Sequence, residues 1–282
     1  MTKRADLLIP EFIAPQIGDN FEINSTTLQM CDVDTSLQGN AGDELTIAKY
    51  VYGNSKCQKL KEGDTIDYKK LAMGSSKITL EQYASGYRIF DRALLATLGD
   101  PIGKMVQFIG GEITDTFDED VIAVAKTTPL KFEVNNPLSI TETEINEALN
   151  LYGDKQNYTD FEGIVIHPKL KSSFLNMESF TKTDSTMAKD GNGVIQNGVI
   201  GYWGGIIPVI LSSKGTYDSV KQQCETFIIK KGSLLAVYKR TPNFEKGRDM
   251  DNKSWKVNDD MIGGIGLINE AGIVHLTKVF NK

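Results

Sequence analysis

The sequence predicts an α+β fold in which extended segments and one unusually long helix accompany a compact α/β region. Three observations lead to this prediction. Residues 44–90 are rich in β-branched and aromatic residues but have no hydrophobic face of their own. Residues 101–126 carry apolar side chains at helical spacing, enough for a helix about 39 Å long. Residues 139–238 interleave helical segments with short apolar runs, the pattern of an α/β region.

Composition narrows the class of protein. The chain has 282 residues, 40% of them hydrophobic and 24% charged, with a formal net charge of −6. An acidic chain of this kind is not expected to read nucleic-acid sequence. Cys31, Cys57 and Cys224 are odd in number and far apart, which argues against a disulfide framework or a zinc site. Because no apolar run approaches a membrane span, we expect a soluble protein made inside the cell.

The first 90 residues predict two extended segments. Residues 1–43 contain Pro10 and Pro15 and show no sustained period, as expected for an arm that is extended or only partly helical. Residues 44–90 predict a two-stranded hairpin, with a Gly-Asp turn signal at 63–64. Within it, residues 56–77 hold six lysines and three acidic residues, which gives +3 in a chain of −6. Such a hairpin is marginal alone in water, so we expect it to lie on something else.

Helix signals follow in order. Asp100 can cap the long helix, and Pro101 suits its first position, while Gly110-Gly111 weakens its middle. A shorter helix is predicted after Thr141, which forms a capping box with Glu144.

The rest of the chain predicts strands around a further helix. "FEGIVIHP" indicates a buried strand, with a helix beginning at Pro168. "GGIIPVILSS" and the runs on either side of Lys231-Gly232 indicate more strands, followed by a charged loop at 244–253 and two final strands.

The sequence gives little support for a catalytic site. His167 ends an apolar run, and Ser172 and Ser173 follow it, but a Ser–His pair needs hydrogen-bond geometry and a third group that orients the imidazole. No GxSxG turn is present, so we interpret His167 as closing a strand, and His275 as an ordinary strand residue.

The acidic clusters are interpreted as solvated faces. Asp118-Glu119-Asp120 lies on the long helix, where consecutive residues cannot converge on one ion. Asp249 with Asp251 lacks the glycine and final glutamate of a calcium loop, and Asp259-Asp260 carries no other metal signal. "MIGGIG" (261–266) does not have the spacing of a dinucleotide site. No catalytic residue, cofactor or metal is therefore predicted.

Several stretches together resemble the major capsid proteins of tailed bacteriophages, the family with the Hong-Kong-97 fold. "ADLLIPEFIAP" is similar to the start of many capsid proteins from phages of Gram-positive hosts. "LKEGDTIDYKKL" followed by "YRIFDRALLATLGDPIGKMVQFIGGEI" is similar to their extended loop and spine helix. "GIVIHPKLKSSFL" with "GGIIPVILSS" is similar to a strand–helix–strand passage of their axial domain. The resemblance covers about residues 5–279.

The resemblance implies a structural protein and a division of the chain. Residues 1–43 would be the N-terminal arm and 44–90 the extended β-hairpin loop. Residues 91–130 and 237–266 would form a peripheral domain around the spine helix, and 131–236 and 267–282 an α/β axial domain. The inter-subunit contacts implied in the extended loop and the charged loop are Lys59, Lys61, Glu62, Asp64, Lys69, Lys70, Lys246, Arg248, Asp249 and Asp251.

The implied partners follow from the same resemblance. The main partner would be the chain itself, in pentamers and hexamers of an icosahedral shell. A separate scaffolding protein, a portal, and packaged double-stranded DNA without sequence-specific contacts would complete the particle. The shell would be assembled in the bacterial cytoplasm and would become the virion capsid. No membrane and no enzymatic activity are implied.

Two alternatives remain open on the sequence. The nearer alternative is an encapsulin, a cellular compartment shell of the same fold that encloses a cargo enzyme, and neighbouring genes would discriminate between the two. The farther alternative is a small hydrolase that uses His167 and Ser172. In that case His167→Ala would abolish an activity and leave assembly intact.

Overall fold

The computed structural model of the chain describes most of its length, and the fold is given for those residues. They are residues 25–51, 57, 59–60, 65–66, 72–97, 99–134, 139–182 and 198–279. No helix within these ranges is long and apolar enough to cross a membrane. Nor do these residues contain a group of three or more side chains suited to a metal ion.

Within the described residues the strands are β1 (Asp32–Asp34), β2 (Glu44–Val51), β3 (Ala72–Thr79), β4 (Glu81–Phe90), β5 (Leu130–Glu133), β6 (Phe161–Ile166), β7 (Phe180–Lys182), β8 (Val199–Trp203), β9 (Ile207–Leu211), β10 (Tyr217–Asp218), β11 (Gln223–Lys230), β12 (Leu234–Asp249), β13 (Ser254–Leu267) and β14 (Ile273–Val279). The α-helices are α1 (Asp91–Ala96), α2 (Pro101–Ala125), α3 (Glu142–Asn150) and α4 (Lys171–Leu175). Short 3₁₀ helices cover Leu28–Met30, Tyr158–Asp160, Pro168–Leu170 and Glu270–Gly272.

A four-stranded sheet, in the order β1-β12-β13-β4, carries the long helix α2 on one face. One buried stripe of α2, including Ile109, Ile113 and Phe117, packs with Val257 and Met261 of β13. The hairpin β2–β3 packs its base on the opposite face, where Ile78, Leu235 and Val237 form a small separate cluster. The helix and the hairpin therefore cover the two faces of this sheet.

A second sheet of eight strands accounts for most of the remaining chain that is described. Its order is β5-β14-β11-β6-β9-β8-β7, and β10 pairs with β11. One face packs with α3 and α4 around Trp203, Phe174 and Ile145. The other face contributes residues such as Phe227 and Ile273 to the same cluster as α2. The long helix thus lies in a core shared by both sheets.

The helix predictions are confirmed with small changes. The side chain of Asp100 accepts a hydrogen bond from the backbone N–H of Gly103, and Pro101 is the first residue of α2. The helix ends at Ala125 and runs unbroken through Gly110-Gly111. The capping box of Thr141 and Glu144 is present at the start of α3. Both helix starts could be read from the sequence because their capping groups are local.

Three expectations about strands and helices differ from the structure. The charged loop expected at 244–253 is mostly strand, because β12 continues to Asp249 and β13 begins at Ser254. Residues 81–90, which we assigned to the extended loop, instead pair with β13 and form the edge of the four-stranded sheet. The hairpin itself is β2 with β3, and it is followed by β4 after the single residue Leu80. The helix expected to begin at Pro168 is a 3₁₀ turn, Pro168–Leu170, followed by the five residues of α4. The pairing of β4 depends on a partner more than 160 residues away, so no local signal could reveal it.

The contact of the hairpin with β13 depends on Gly264. A Cβ atom at this position would lie 2.5 Å from the backbone oxygen of Thr79 and 3.1 Å from Ile78 Cγ2. Because a backbone atom cannot rotate away, we expect Gly264→Ala to cost about 1–3 kcal/mol of stability and to loosen the hairpin. Urea denaturation together with limited proteolysis of the hairpin measures both effects. Gly247→Ala is the matched control, because a Cβ there meets nothing within 4 Å.

Candidate assembly surfaces

The hairpin formed by β12 and β13 brings together the four predicted contact residues of the charged loop. Asp249 accepts hydrogen bonds from the side chain and backbone of Asn252, at 2.9 and 3.2 Å. Lys256 Nζ lies 2.9 Å and Arg88 Nη2 3.7 Å from the same carboxylate. The hydrogen bond from the Asn252 side chain, aided by Lys256, holds the pKa of Asp249 well below its usual range. The tip is therefore held by an ionised aspartate at neutral pH.

Two basic residues of this hairpin lie over the ring of Trp255. Lys246 Nζ lies 4.7 Å from the centroid of its ring, and the Arg248 guanidinium carbon lies 5.3 Å from it. Arg248 also pairs with Asp91, at 2.8 Å. Asp251 and Met250 stand outward at the turn, where Met250 is 73% exposed. The tip thus presents one apolar side chain among fixed charges.

Of the contact residues predicted in the extended loop, the structure describes one. Lys59 is exposed. Lys61, Glu62, Asp64, Lys69 and Lys70 lie outside the described residues, as do residues 1–24 of the predicted arm.

Asp118 is buried, which corrects the interpretation of its acidic run as a solvated face. The residue is 3% exposed, on the buried stripe of α2. Its Oδ1 accepts hydrogen bonds from the hydroxyls of Ser25 and Thr27, both at 2.6 Å. Its Oδ2 accepts from the backbone N–H and the hydroxyl of Thr26, both at 3.1 Å. Four donors compensate the burial of this carboxylate and fix residues 25–27 to the long helix.

Asp259 and Asp260 are also buried, so the same interpretation is wrong for them. Asp260 lies on one face of β13, where it pairs with Arg240 and accepts a hydrogen bond from Gln82 at 2.6 Å. Asp259 points to the opposite face, which Val257 and Met261 share with α2. Neither of its oxygens has a side-chain hydrogen-bond partner among the described residues. Burial raises the pKa of Asp259 to about 6, against the opposing effects of the Asn243 backbone N–H and Arg240.

An ion pair joins the end of the long helix to the eight-stranded sheet. Lys126, which follows α2, places Nζ 2.7 Å from Oε2 of the buried Glu225 in β11. His275 Nε2 lies 3.8 Å from the same oxygen, and its ring stacks on Phe227 with centroids 4.7 Å apart. Burial, aided by Lys126 and Lys131, lowers the pKa of His275 to about 4. The histidine is therefore neutral at pH 7, and the interpretation of it as a strand residue is confirmed.

His167 closes β6, as predicted. Its Nδ1 accepts a hydrogen bond from the backbone N–H of Lys169, at 3.2 Å, and so caps the 3₁₀ turn. The ring stacks on Tyr217, and Cys224 Sγ lies 3.6 Å from Nδ1. Burial raises the pKa of Cys224 to about 11, so the thiol is not ionised at neutral pH. Ser172 and Ser173 line a different cleft, together with Ser139 and Glu142.

Comparison with known proteins agrees with this architecture. The chain is 29% identical over 286 residues to the major capsid protein of Staphylococcus phage phiMR11. The alignment covers 99% of this chain and 96% of that protein. Among solved structures, the capsid of Ralstonia phage GP4 matches with a TM-score of 0.67 at 11% identity, over 93% of this chain and 91% of that chain. A virus-like particle from Pyrococcus furiosus matches with a TM-score of 0.61 at 12% identity, over 94% and 98%. No protein-family model matches the chain.

These similarities define the class of protein. The protein has the Hong-Kong-97 capsid fold, as the sequence predicted. The resemblance to tailed-phage major capsid proteins is likewise confirmed, and the similarity to the phage phiMR11 protein supports a structural role in a capsid. The same relative makes the encapsulin alternative the poorer fit.

Proposed function

We propose that copies of this protein assemble, as pentamers and hexamers, into the icosahedral shell of a tailed phage. The observation that carries the proposal is the hairpin β2–β3. Its strands pair only with each other among the described residues, and alternate residues of β2, such as Glu44, Thr46 and Ala48, are exposed. A two-stranded hairpin of this kind is marginal in a monomer and gains its burial from neighbouring copies. Permanent interfaces of this type commonly bury about 2,000–5,000 Å².

The parts of the chain are assigned to the shell as follows. Residues 1–43 form the arm that contacts neighbours, and the segment within 44–90 that precedes β4 overlaps an adjacent subunit. The sheet that carries α2 corresponds to the peripheral domain, and the eight-stranded sheet with α3 and α4 to the axial domain, clustered around fivefold and sixfold axes. The fold of the relatives supports this assignment.

The tip of the β12–β13 hairpin is assigned to contacts between peripheral domains at threefold positions. Two of its charges are neutralised within the subunit, Asp249 by Lys256 and Arg248 by Asp91. The apolar side chain of Met250 is left for a neighbour. Lys246, which lies over Trp255, and the exposed Asp251 would supply complementary charges.

The remaining proposed partners are those of a shell that encloses a DNA genome. Double-stranded DNA would be held by confinement and its own counterions, which is compatible with a chain of −6 and needs no base contacts. A separate scaffolding protein and a portal would take part in assembly in the bacterial cytoplasm. In this proposal the protein has a structural role in the capsid and no enzymatic one, because the surfaces assigned above serve contacts between copies.

Sedimentation of the purified full chain tests the proposal. We expect species far larger than the 31.1 kDa subunit, either capsomers of five and six copies or closed shells. Replacement of residues 52–71, which connect β2 to β3, with a two-residue Asn-Gly turn keeps the hairpin strands and removes the segment between them, and it should abolish these species while the subunit stays folded. Sedimentation of the full chain as a monomer at all concentrations, with and without a co-expressed scaffolding protein, would contradict the proposal.

A further inference from the structure

The hairpin β2–β3 joins the rest of the subunit at a narrow base. β3 continues into β4 after the single residue Leu80, whose backbone N–H donates to the carbonyl oxygen of Asp43 at 3.0 Å. On the other side the chain enters β2 through Gly42, whose φ of +130° is one that residues with a side chain rarely adopt. Two short crossings of this kind allow a hairpin to change its direction without unfolding, as at the hinges of moving domains.

The apolar contact beneath the base holds the hairpin on the sheet but does not define its direction. Ile78 of β3 packs with Leu235 and Val237 of β12. It also lies against Gly264 and Gly266 of β13, which have no side chains to stand beside it. Because apolar contacts are non-directional, the angle of the hairpin depends on other, directional contacts.

Lys239 supplies such a contact. It is the extra residue of a β-bulge, because its two neighbours in β12 pair with consecutive residues of β13, Gly263 and Ile262. A bulge re-aims a side chain, and here Lys239 Nζ donates to the carbonyl oxygen of Gly42 at 2.8 Å and to Oδ1 of Asp43 at 2.9 Å. The hydrogen bond from Lys239 lowers the pKa of Asp43, so this carboxylate is ionised at neutral pH.

This contact has a strength that allows it to open and close. Two hydrogen bonds from one ammonium group define a direction, and charged hydrogen bonds are stronger than neutral ones. The side chain of Asp43 is 88% exposed, however, and that of Lys239 is 23% exposed, so water and salt compete with the ion pair. The contact therefore favours one angle of the hairpin without forbidding others.

We propose that Lys239 is a latch that sets the angle at which the hairpin β2–β3 leaves the four-stranded sheet, and that release of this latch lets identical chains place the hairpin at different angles. The inference rests on the proposed shell, because identical subunits in rings of five and of six meet their neighbours at different angles. Lys239 is thus a positioning residue for assembly, which acts through Gly42 and Asp43 of its own copy.

Double electron–electron resonance measures the angle within one copy. Spin labels are placed on Cys57, which is exposed in the segment between β2 and β3, and on Val220→Cys, at a position 91% exposed between β10 and β11. A Cys31→Ala background and an excess of unlabelled chains restrict the signal to this pair. Lys239→Met, which keeps most of the side chain but removes its charge, should raise the population outside the main wild-type distance about five- to tenfold. Lys239→Arg should keep the main distance.

Two comparisons separate a latch from a general loss of stability. A rise in NaCl from about 0.05 M to about 1 M should move the wild-type distances toward those of Lys239→Met and leave the variant unchanged, because salt screens an exposed ion pair. Lys214→Met is the matched control, since Lys214 pairs with Asp115 of α2 at 2.5 Å, and it should keep the wild-type distances. If urea denaturation shows that Lys239→Met does not fold, Asp43→Ala removes one of the two acceptors and should cause a smaller change in the same direction.

The outcomes separate the latch from the proposed function. Unchanged distances in Lys239→Met and Asp43→Ala, or an equal change in Lys214→Met, would overturn the latch whether or not shells form. Electron microscopy of Lys239→Met should show particles of several diameters or open sheets where the wild type gives one class, and a single wild-type class would overturn the role of the latch in assembly. A wild-type chain that never assembles would remove the proposed function and that role with it, while the distances still decide the latch itself.

Discussion

Asp118→Ala is expected to lower the free energy of unfolding by about 2–5 kcal/mol, the largest effect of any single substitution considered. The carboxylate accepts four hydrogen bonds from Ser25, Thr26 and Thr27. Its removal leaves the fully buried hydroxyls of Ser25 and Thr27 without an acceptor, and each such group costs about 1–3 kcal/mol. Urea denaturation followed by circular dichroism measures the loss.

The same substitution should free the segment that leads into the predicted arm. Hydrogen exchange at residues 25–31 is therefore expected to accelerate far more than exchange in β6 or β11. Asp118→Asn should give an intermediate loss, since its amide keeps one acceptor but turns a donor toward the hydroxyls. Glu119→Ala, at an exposed position one residue along the helix, is the control and should change stability by about 0.5 kcal/mol or less. A loss in Asp118→Ala no larger than that of the control would contradict the account.

Asp259→Asn is expected to stabilise the protein at pH 7 and to flatten its pH dependence. Burial raises the pKa of Asp259 from 3.8 to about 6 in the folded state, so the folded state binds this proton more tightly than the unfolded state. The protonated form stabilises the fold fully below pH 3.8, and that contribution is lost as the pH rises through 6. A shift of this size corresponds to at most about 3 kcal/mol. The asparagine variant should recover about 1–3 kcal/mol at pH 7 and little at pH 4.

Comparison of the wild type with Asp259→Asn at each pH isolates the titration of Asp259, because all other titratable groups are the same in both. Denaturation midpoints at pH 4, 5, 6 and 7 should converge at the acid end and separate toward neutrality. Asp260→Asn is the contrasting variant on the other face of β13. Since Asp260 pairs with Arg240 and Gln82, its replacement should destabilise the protein at pH 7. A destabilised Asp259→Asn at pH 7 would show that the buried carboxylate has a partner essential to the fold.

The long helix could be predicted from the sequence because every signal for it is local. The apolar stripe, the capping aspartate and the proline at the first position lie within residues 100–126 and agree with each other. The buried aspartates could not be recognised in the same way. The donors to Asp118 lie more than 90 residues away, and the run of three acids suggested solvent.

Signals for these aspartates were nonetheless present. Asp118 is four residues from Thr114 and from Ile122, both buried, and so lies on the same side of the helix. Asp259 occupies an inward position of an alternating pattern between Val257 and Met261. Polar residues at positions where the period requires apolar ones indicate buried partners or a functional cost. The edge position of β4, by contrast, depends on sheet order, which no periodicity encodes.

Electron cryomicroscopy of particles formed by the purified full chain tests the central claim most directly. The account predicts closed shells with fivefold and sixfold clusters, in which each subunit shows the long helix α2 on the four-stranded sheet. It further predicts that the hairpin β2–β3 of each subunit reaches over a neighbour. Particles with no regular clusters, or shells in which every hairpin contacts only its own subunit, would contradict it.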